Sequence, residues 1–448
     1  MKLEENSKLC IDFIIKNKLI HKNININNTN IIDYLRKIIS LKNTLSYELI
    51  KKTNINKIHN TKYPPLMYVI FLLLFKNNLL DEIIQNMSLN VKCFYNHDID
   101  YFIEWYNENQ MSLSFDSIKN ILKNNTELKE LYDIVFDPIE DRQHLHHLLY
   151  SNPFVPLNIQ YDAECQNLEY SVYKFNNGSV IYLYKSKYNV DIDIISKIFD
   201  IFNKISNKNM AIKLIIYLSD IKKEFYDNST KILKPVNINS GSTIREVEIC
   251  LWRFEEIYKV LIHELIHYYS IDFGHHTPNF SKTTEFSNKL FNLVGEDRLY
   301  ESYTECLANI IHCAFFEYYS HISIDILLTL EISFSLFQIA KILHYFNFNN
   351  AHNILKKNNI KKNIIQSTSA CSYFIIKGSL LFSINDFLHF INDGVFFNNK
   401  INQYLLLIEK CLNKNYLDAI NKYFNYIELC NNLFVSNTLR MTCLQLIS

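Results

Sequence analysis

Residues 260–269 read VLIHELIHYY, and within them His263, Glu264 and His267 form a five-residue pattern with recognisable chemistry. Side chains four apart on a helix lie one above the other on the same face, so both imidazoles can reach one tetrahedral Zn²⁺. The residue after the first histidine sits about 100° round the helix. From there Glu264 can reach a metal-bound water without ligating the metal, and so act as general base. The flanks strengthen this reading. Glu264 is the only charged residue from Leu261 to Ser270 and no proline interrupts the run, so the helix can be buried around its metal face.

A catalytic zinc needs a third protein ligand. A histidine six residues after the second is one known solution, but position 273 is Phe. A glutamate on a later helix is another, and ESYTECLANIIH (301–312) supplies one. Glu305 is the expected ligand, with Ala308 allowing close approach of the two helices. Glu301, one turn earlier on the same face, is the alternative, or else the partner of a ligating histidine. Asp272, just past the motif, could orient one of the histidines, but its expected role is to help the chain turn. Arg253, Glu255 and Glu256 precede the motif and are expected to be structural, acidic groups being favoured at a helix start. HLHH (His144, His146 and His147) lacks a partner pattern and reads as a solvated helix end.

The elements that must position these groups follow from periodicity. Residues 1–152 carry apolar residues at three- and four-residue steps, as in IIDYLRKIISLKN and FDSIKNILKNNTELKELYDIVF, with Pro64-Pro65 opening a further helix. The prolines of SNPFVPLN mark a break. SVYKF and SVIYLY around Asn176-Asn177-Gly178 predict a hairpin. AIKLIIYLS predicts a buried strand, and PVNINSGST and EVEICLW two more. Val247, Ile249 and Leu251 alternate there with Glu246, Glu248 and Cys250. From 299 to the C-terminus the period is helical again. The expected fold class is therefore α+β: a mixed core at 153–320 between helical regions at 1–152 and 321–448.

Composition narrows the partners. Lys plus Arg and Asp plus Glu number 46 each, so no bulk charge draws the chain to nucleic acid or an anionic membrane. Six glycines and seven prolines in 448 residues are too few for a turn-dense all-β fold. Ten scattered cysteines without a CxxC pair read as reduced, mostly buried thiols. The N-terminus shows no signal-peptide pattern, and the longest apolar run, Leu66 to Phe75, is shorter than the roughly 20 residues of a membrane span. An intracellular setting is expected.

HELIH followed by a downstream helical glutamate resembles the gluzincin group of zinc metallopeptidases. VNINSGST, ICLWRFEEIYKVLIHELIHYYSIDF and LYESYTECLANIIHCAF are more closely similar to an uncharacterised metallopeptidase-like family of large nucleocytoplasmic DNA viruses. The resemblance covers about 230–320 and implies a zincin-like core, one Zn²⁺ per chain on His263, His267 and Glu305, and Glu264 as base. It also implies a peptide or protein substrate and a place in host cytoplasm or virion. In zincins an edge strand pairs with the extended substrate; Asn239, Ser240 and Gly241 are candidates to line that cleft. The Gly-x-Met-Glu-Asn segment usual in gluzincin aminopeptidases is missing, which favours an endopeptidase. His275, His276, Tyr303 and Tyr373 are candidate donors to a developing oxyanion. The alternative is a catalytically inactive zincin scaffold serving a structural or interaction role in a virus.

Overall fold

A computed structural model of the chain describes residues 2–21, 26, 29–56, 140–152, 154–225, 231–272, 280–358, 361–392 and 400–447. Its centre is a six-stranded mixed sheet, in the order β2 (Tyr47–Ile55), β3 (Leu168–Phe175), β4 (Val180–Lys185), β5 (Lys213–Ser219), β7 (Glu248–Arg253) and β6 (Gly241–Ile244). The expected hairpin joins β3 to β4. Gly178 takes φ +87° at its turn, while Ser179 N–H donates to Asn177 Oδ1. β4, β5 and β7 run parallel, with helix α4 (Ile192–Ser206) crossing between β4 and β5. The Asp191 carboxylate caps that helix by accepting from Asp193 N and Ile194 N. β6 lies at the sheet edge, antiparallel to β7.

β5 shows why the central strands read as unbroken apolar runs. Leu214 and Ile216 face one core, Ile215 and Tyr217 a second on the opposite face, and both faces are covered. The second core is closed by Leu145, Leu148, Leu149 and helix α3 (Leu157–Cys165). The first receives helices α1 (Glu5–Lys16), α2 (Thr29–Ser40), α4, α5 (Ile257–Tyr268), α6 (Leu299–Ser320) and α7 (Ile324–Tyr345).

The expected division into helical flanks around a mixed core needs correcting on three points. β2 belongs to the central sheet, pairing antiparallel with β3, so the N-terminal region is not purely helical. β1 (Lys2–Leu3) pairs with β8 (Leu446–Ile447), which brings the two ends of the described chain together. Residues 235–238 form a short helical turn rather than a strand, Pro235 fixing its first φ, and the strand begins only at Gly241. Val247 is 56% exposed in the β6–β7 turn, where Glu246 has φ +57°. The apolar run at 66–75, the Pro64-Pro65 start and the 115–136 helix lie outside the described residues.

Helix α7 is long and apolar enough to cross a membrane, yet it lies buried in the fold. Its polar groups are used there. Glu331 accepts from Thr442 Oγ1 and Cys443 N–H, Gln338 donates to Arg440 O, and Lys341 donates to Val435 O and Thr438 O. The chain's last residues thus thread through the core beside α7. The nine cysteines among the described residues are all free, seven of them buried.

His312 on α6 is buried, with Nδ1 lacking a hydrogen-bond partner. Burial, then Lys259 and Arg440 against the opposing pull of Glu256, push its pKa down from 6.5 to about 3. The folded protein therefore refuses a proton that the unfolded chain accepts, and stability falls as pH drops from 6.5 towards 3. His312→Leu should remove about 2 kcal/mol of this acid sensitivity at pH 5 relative to pH 7, measured by urea unfolding at the two pH values. An unchanged pH dependence would show that His312 is not held neutral.

Candidate metal centre

Helix α5 starts abruptly. Glu256 takes a left-handed φ of 60° and its backbone N–H donates to Gln445 Oε1. One carboxylate oxygen of Glu256 accepts from the N–H groups of Met441 and Thr442, and the other accepts from Lys223 Nζ at 2.7 Å. Arg440, fully buried, donates to Glu4 and Gln445. Arg253, also fully buried, donates to the carbonyls of Ile221, Lys222, Val236 and Asn239 and so holds the approach to β6. The structural role expected of Arg253, Glu255 and Glu256 is what the geometry shows. They anchor α5 against the sheet and the C-terminal segment.

Along α5, Lys259, His263 and His267 form one ladder, and α6 presents Glu305 and Glu301 against it. Lys259 Nζ donates to Glu305 Oε2, and Glu305 Oε1 lies 3.1 Å from His263 Nδ1. Glu301 Oε2 lies 3.3 Å from both His263 Nε2 and His267 Nε2. The partners descend in opposite order, so the two helices run antiparallel along this seam. Ala308 is fully buried on α6.

The expected order of the two glutamates is therefore reversed. Glu301, not Glu305, converges with the two histidines, and His263, His267 and Glu301 are the one group among the described residues able to hold a metal ion. Glu305 sits a turn deeper, where Lys259 captures it. The three ligand atoms form a triangle with edges of 3.0, 3.3 and 3.3 Å. Ligand atoms about 2.0–2.1 Å from a tetrahedral zinc would stand about 3.3 Å apart. Glu301 Oε2 is buried with no aligned donor, as a coordinating oxygen would be. The residues present fit zinc.

The field at the centre favours a cation. Burial depresses the pKa of His267, but Glu301 and Asp272 outweigh it and raise the value well above 6.5. His263 is raised in the same way, Glu305 and Glu301 overcoming burial. The histidines hold the Glu301 carboxylate far below the usual range despite its burial. Glu264 goes the other way: burial raises its pKa, with His263, His267 and Thr243 offsetting part of the rise.

Asp272 Oδ2 lies 2.5 Å from His267 Nδ1, and Arg245 Nη2 grips both Asp272 oxygens at 2.8 and 3.0 Å. The turn-forming role expected of Asp272 gives way to orienting His267, because the chain reverses after α5 and brings it back under the imidazole. Both histidines thus have a carboxylate behind Nδ1 and present Nε2 to Glu301.

A cleft of about 190 Å³ opens over these groups, lined by Gly241, Ser242 and Thr243 of β6, by Arg245, Arg298 and Tyr300, and by Ser367, Thr368, Ser369 and Tyr373. Of the expected lining residues, Asn239 and Gly241 are there. Ser240 is buried, its carbonyl accepting from Trp252 N–H. Thr243 Oγ1 donates to Glu264 Oε2 at 2.7 Å. Tyr373 lies in a π-helical turn (Cys371–Ile376), its ring 6.2 Å from that of His263. Asp297 shapes that wall, accepting from Ser372 N–H, Ser372 Oγ and Ser287 Oγ. Tyr303 is not in the cleft. It points into the core against Phe387 and Tyr404, being two residues and about 200° round the helix from Glu301. His275 and His276 lie outside the described residues. In HLHH, the His144 ring lies tilted against Tyr182 and His147 pairs with Glu248, and no metal set forms there among the described residues.

No family model matches the chain, and no solved structure does. In an alignment of 207 positions that covers 43% of the chain, it is 27% identical to an uncharacterised protein of Acanthamoeba polyphaga mimivirus. It spans about half (52%) of that relative. What the comparisons add to the geometry is a partial similarity to a viral protein whose own role is not assigned.

Proposed function

We propose that the chain is a zinc metallopeptidase with a gluzincin-type centre and a zincin-like core, hydrolysing peptide bonds by an activated water. The observation that carries this reading is the His263–His267–Glu301 triangle, of zinc-ligand dimensions, with Glu264 beside it and an edge strand along the cleft. Zinc, when bound, supplies a Lewis acid that lowers the pKa of water and polarises a carbonyl.

The rest falls to the chain's own groups. An extended peptide adds by backbone hydrogen bonds to the outer edge of β6, which no other described strand pairs, and this brings its carbonyl over the histidines. Glu264, steadied by Thr243 and with its pKa raised by burial, takes the proton of the attacking water and delivers it to the leaving amine. Tyr373 is the donor to the developing oxyanion. Burial and the nearby Glu301 keep its phenol protonated, so it has a proton to offer. Tyr300, which lines the cleft beside His267, is a second donor of the same kind. The reading extends to an endopeptidase acting on protein substrates in a virus-infected cell.

The inactive-scaffold reading is less well supported. Among the described residues, the C-terminal segment packs at the Glu256 end of α5 and a cleft remains over the histidines.

The first test is metal content. Elemental analysis should find about one zinc per chain in the parent and none in His263→Ala or Glu301→Ala. Glu305→Ala should keep its zinc stoichiometry at saturation. Zinc lost with Glu305 but kept without Glu301 would reverse the ligand assignment.

Gly241 provides a second test. A Cβ there would stand 2.6 Å from Glu264 Oε1 and 2.9 Å from Leu251 Cδ2, so the strand can pass the base only because this residue has no side chain. Gly241→Ala should displace Glu264 and cut peptide hydrolysis by about 10²-fold with zinc retained. Full activity in this variant would separate Glu264 from the chemistry.

A further inference from the structure

Lys259 is a lysine with no exposed side-chain surface, one turn before His263 on α5. A bare ammonium in such a place is costly unless it is paired, and lysine is among the residues least often fully buried. Its partner is Glu305 Oε2; its other near contact is the thioether of Met441 at 3.8 Å. Glu305 is equally buried and has its second oxygen, Oε1, 3.1 Å from His263 Nδ1. One carboxylate oxygen is therefore committed to the ammonium, and the other lies within ion-pair distance of the imidazole without an aligned hydrogen bond.

The other histidine is supported in the same way. Arg245 grips Asp272, and Asp272 faces His267 Nδ1. Each imidazole thus rests on a carboxylate, and each carboxylate on a cation. The two arms differ in access. Arg245 is a quarter exposed at the cleft wall, whereas Lys259 is sealed in the core.

We propose that Lys259 is a positioning residue for the metal centre, acting through Glu305 to fix His263 and to leave the third ligand position to Glu301. This rests on the metal-centre reading above. Two glutamates one turn apart on α6 face the same histidine, and either could reach a cation held by Nε2 atoms. The ammonium holds Glu305 down and away, where its remaining oxygen orders the Nδ1 side of His263. Nε2 is then presented towards His267 and Glu301. Outer partners of this kind typically change metal affinity by about 10–100-fold.

The test is zinc affinity, measured against a competing chromophoric chelator, together with the visible absorption of the Co²⁺-loaded protein. Circular dichroism confirms folding of each variant. Lys259→Met should bind Zn²⁺ about 10–100-fold more weakly than the parent. Lys259→Gln, which can still donate a hydrogen bond to Glu305, should fall between the two and serves if the Met variant does not fold. In a Glu305→Gln background, Lys259→Met should cause no further loss, since its route to the metal is already cut. The Co²⁺ band should shift in Lys259→Met, because the freed Glu305 can then compete with Glu301.

A parent that binds zinc and a folded Lys259→Met variant with the same affinity and spectrum would overturn the proposal alone. So would losses that simply add in the double variant. A parent that takes up no zinc would overturn the metal-centre reading, and this inference with it.

Discussion

Glu264→Gln protein should take up zinc as the parent does and lose about 10²–10⁴-fold of its rate of peptide hydrolysis. The substitution keeps the size and the hydrogen bond to Thr243 but removes the ability to accept a proton. Glu264 is no part of the ligand triangle, so metal content should not change. Loss of hydrolysis with zinc retained is what an isosteric change at a base gives, and a change at a ligand does not. Loss of zinc together with activity would mean that Glu264 is a ligand or a structural support. Unchanged cleavage of a peptide library would show that any hydrolysis comes from elsewhere.

Lys223→Met should be strongly damaging although Lys223 is no part of the centre, lowering stability by about 3–5 kcal/mol. Lys223 and Glu256 are both buried and pair at 2.7 Å. Lys223 holds the Glu256 carboxylate, which in turn organises the start of α5 and the N–H groups of Met441 and Thr442. Burial alone would raise the Glu256 pKa; Lys223, then Lys259 and Arg440, hold it below the usual carboxylate value. Methionine fills the space but leaves that carboxylate with less compensating charge in a desolvated site. The measurement is the urea midpoint at pH 7 for parent, Lys223→Met and Lys223→Met/Glu256→Gln. A double variant more stable than the single one would confirm that the damage comes from the uncompensated anion. A single variant as stable as the parent would refute it.

Both predictions concern α5, and the sequence showed that helix unevenly. Its two histidines and Glu264 were legible because their spacing is local. Four residues on a helix put His263 and His267 on one face whatever surrounds them, and the adjacent Glu264 follows from the same 3.6-residue period. The strands were legible where the period of two, or a run buried on both sides, was complete, as in β3, β4 and β5. β2 was hidden because YELIKKTNI alternates weakly and sits at a sheet edge, where Leu49 and Ile50 are about half exposed. Its identity comes from pairing with β3, more than a hundred residues away.

The two glutamates of α6 show the division most clearly. Periodicity placed Glu301 and Glu305 on one face of α6 and could go no further, since both satisfy the same spacing. Their roles depend on the direction in which α6 passes α5 and on which residue of α5 stands opposite each carboxylate. Antiparallel passage puts Lys259 against Glu305 and both histidine Nε2 atoms against Glu301. Lys259 was itself visible in the sequence, one turn ahead of His263, but nothing local marks a lysine as buried. Asp272, Arg245 and Thr243 likewise gain their partners only when a turn and an edge strand close around α5. By itself the sequence determined the chemistry available, a pair of imidazoles on one helical face with a carboxylate beside it. The tertiary structure decided which carboxylates meet those imidazoles, because that depends on helix direction and register between segments whose separation along the chain carries no periodic signal.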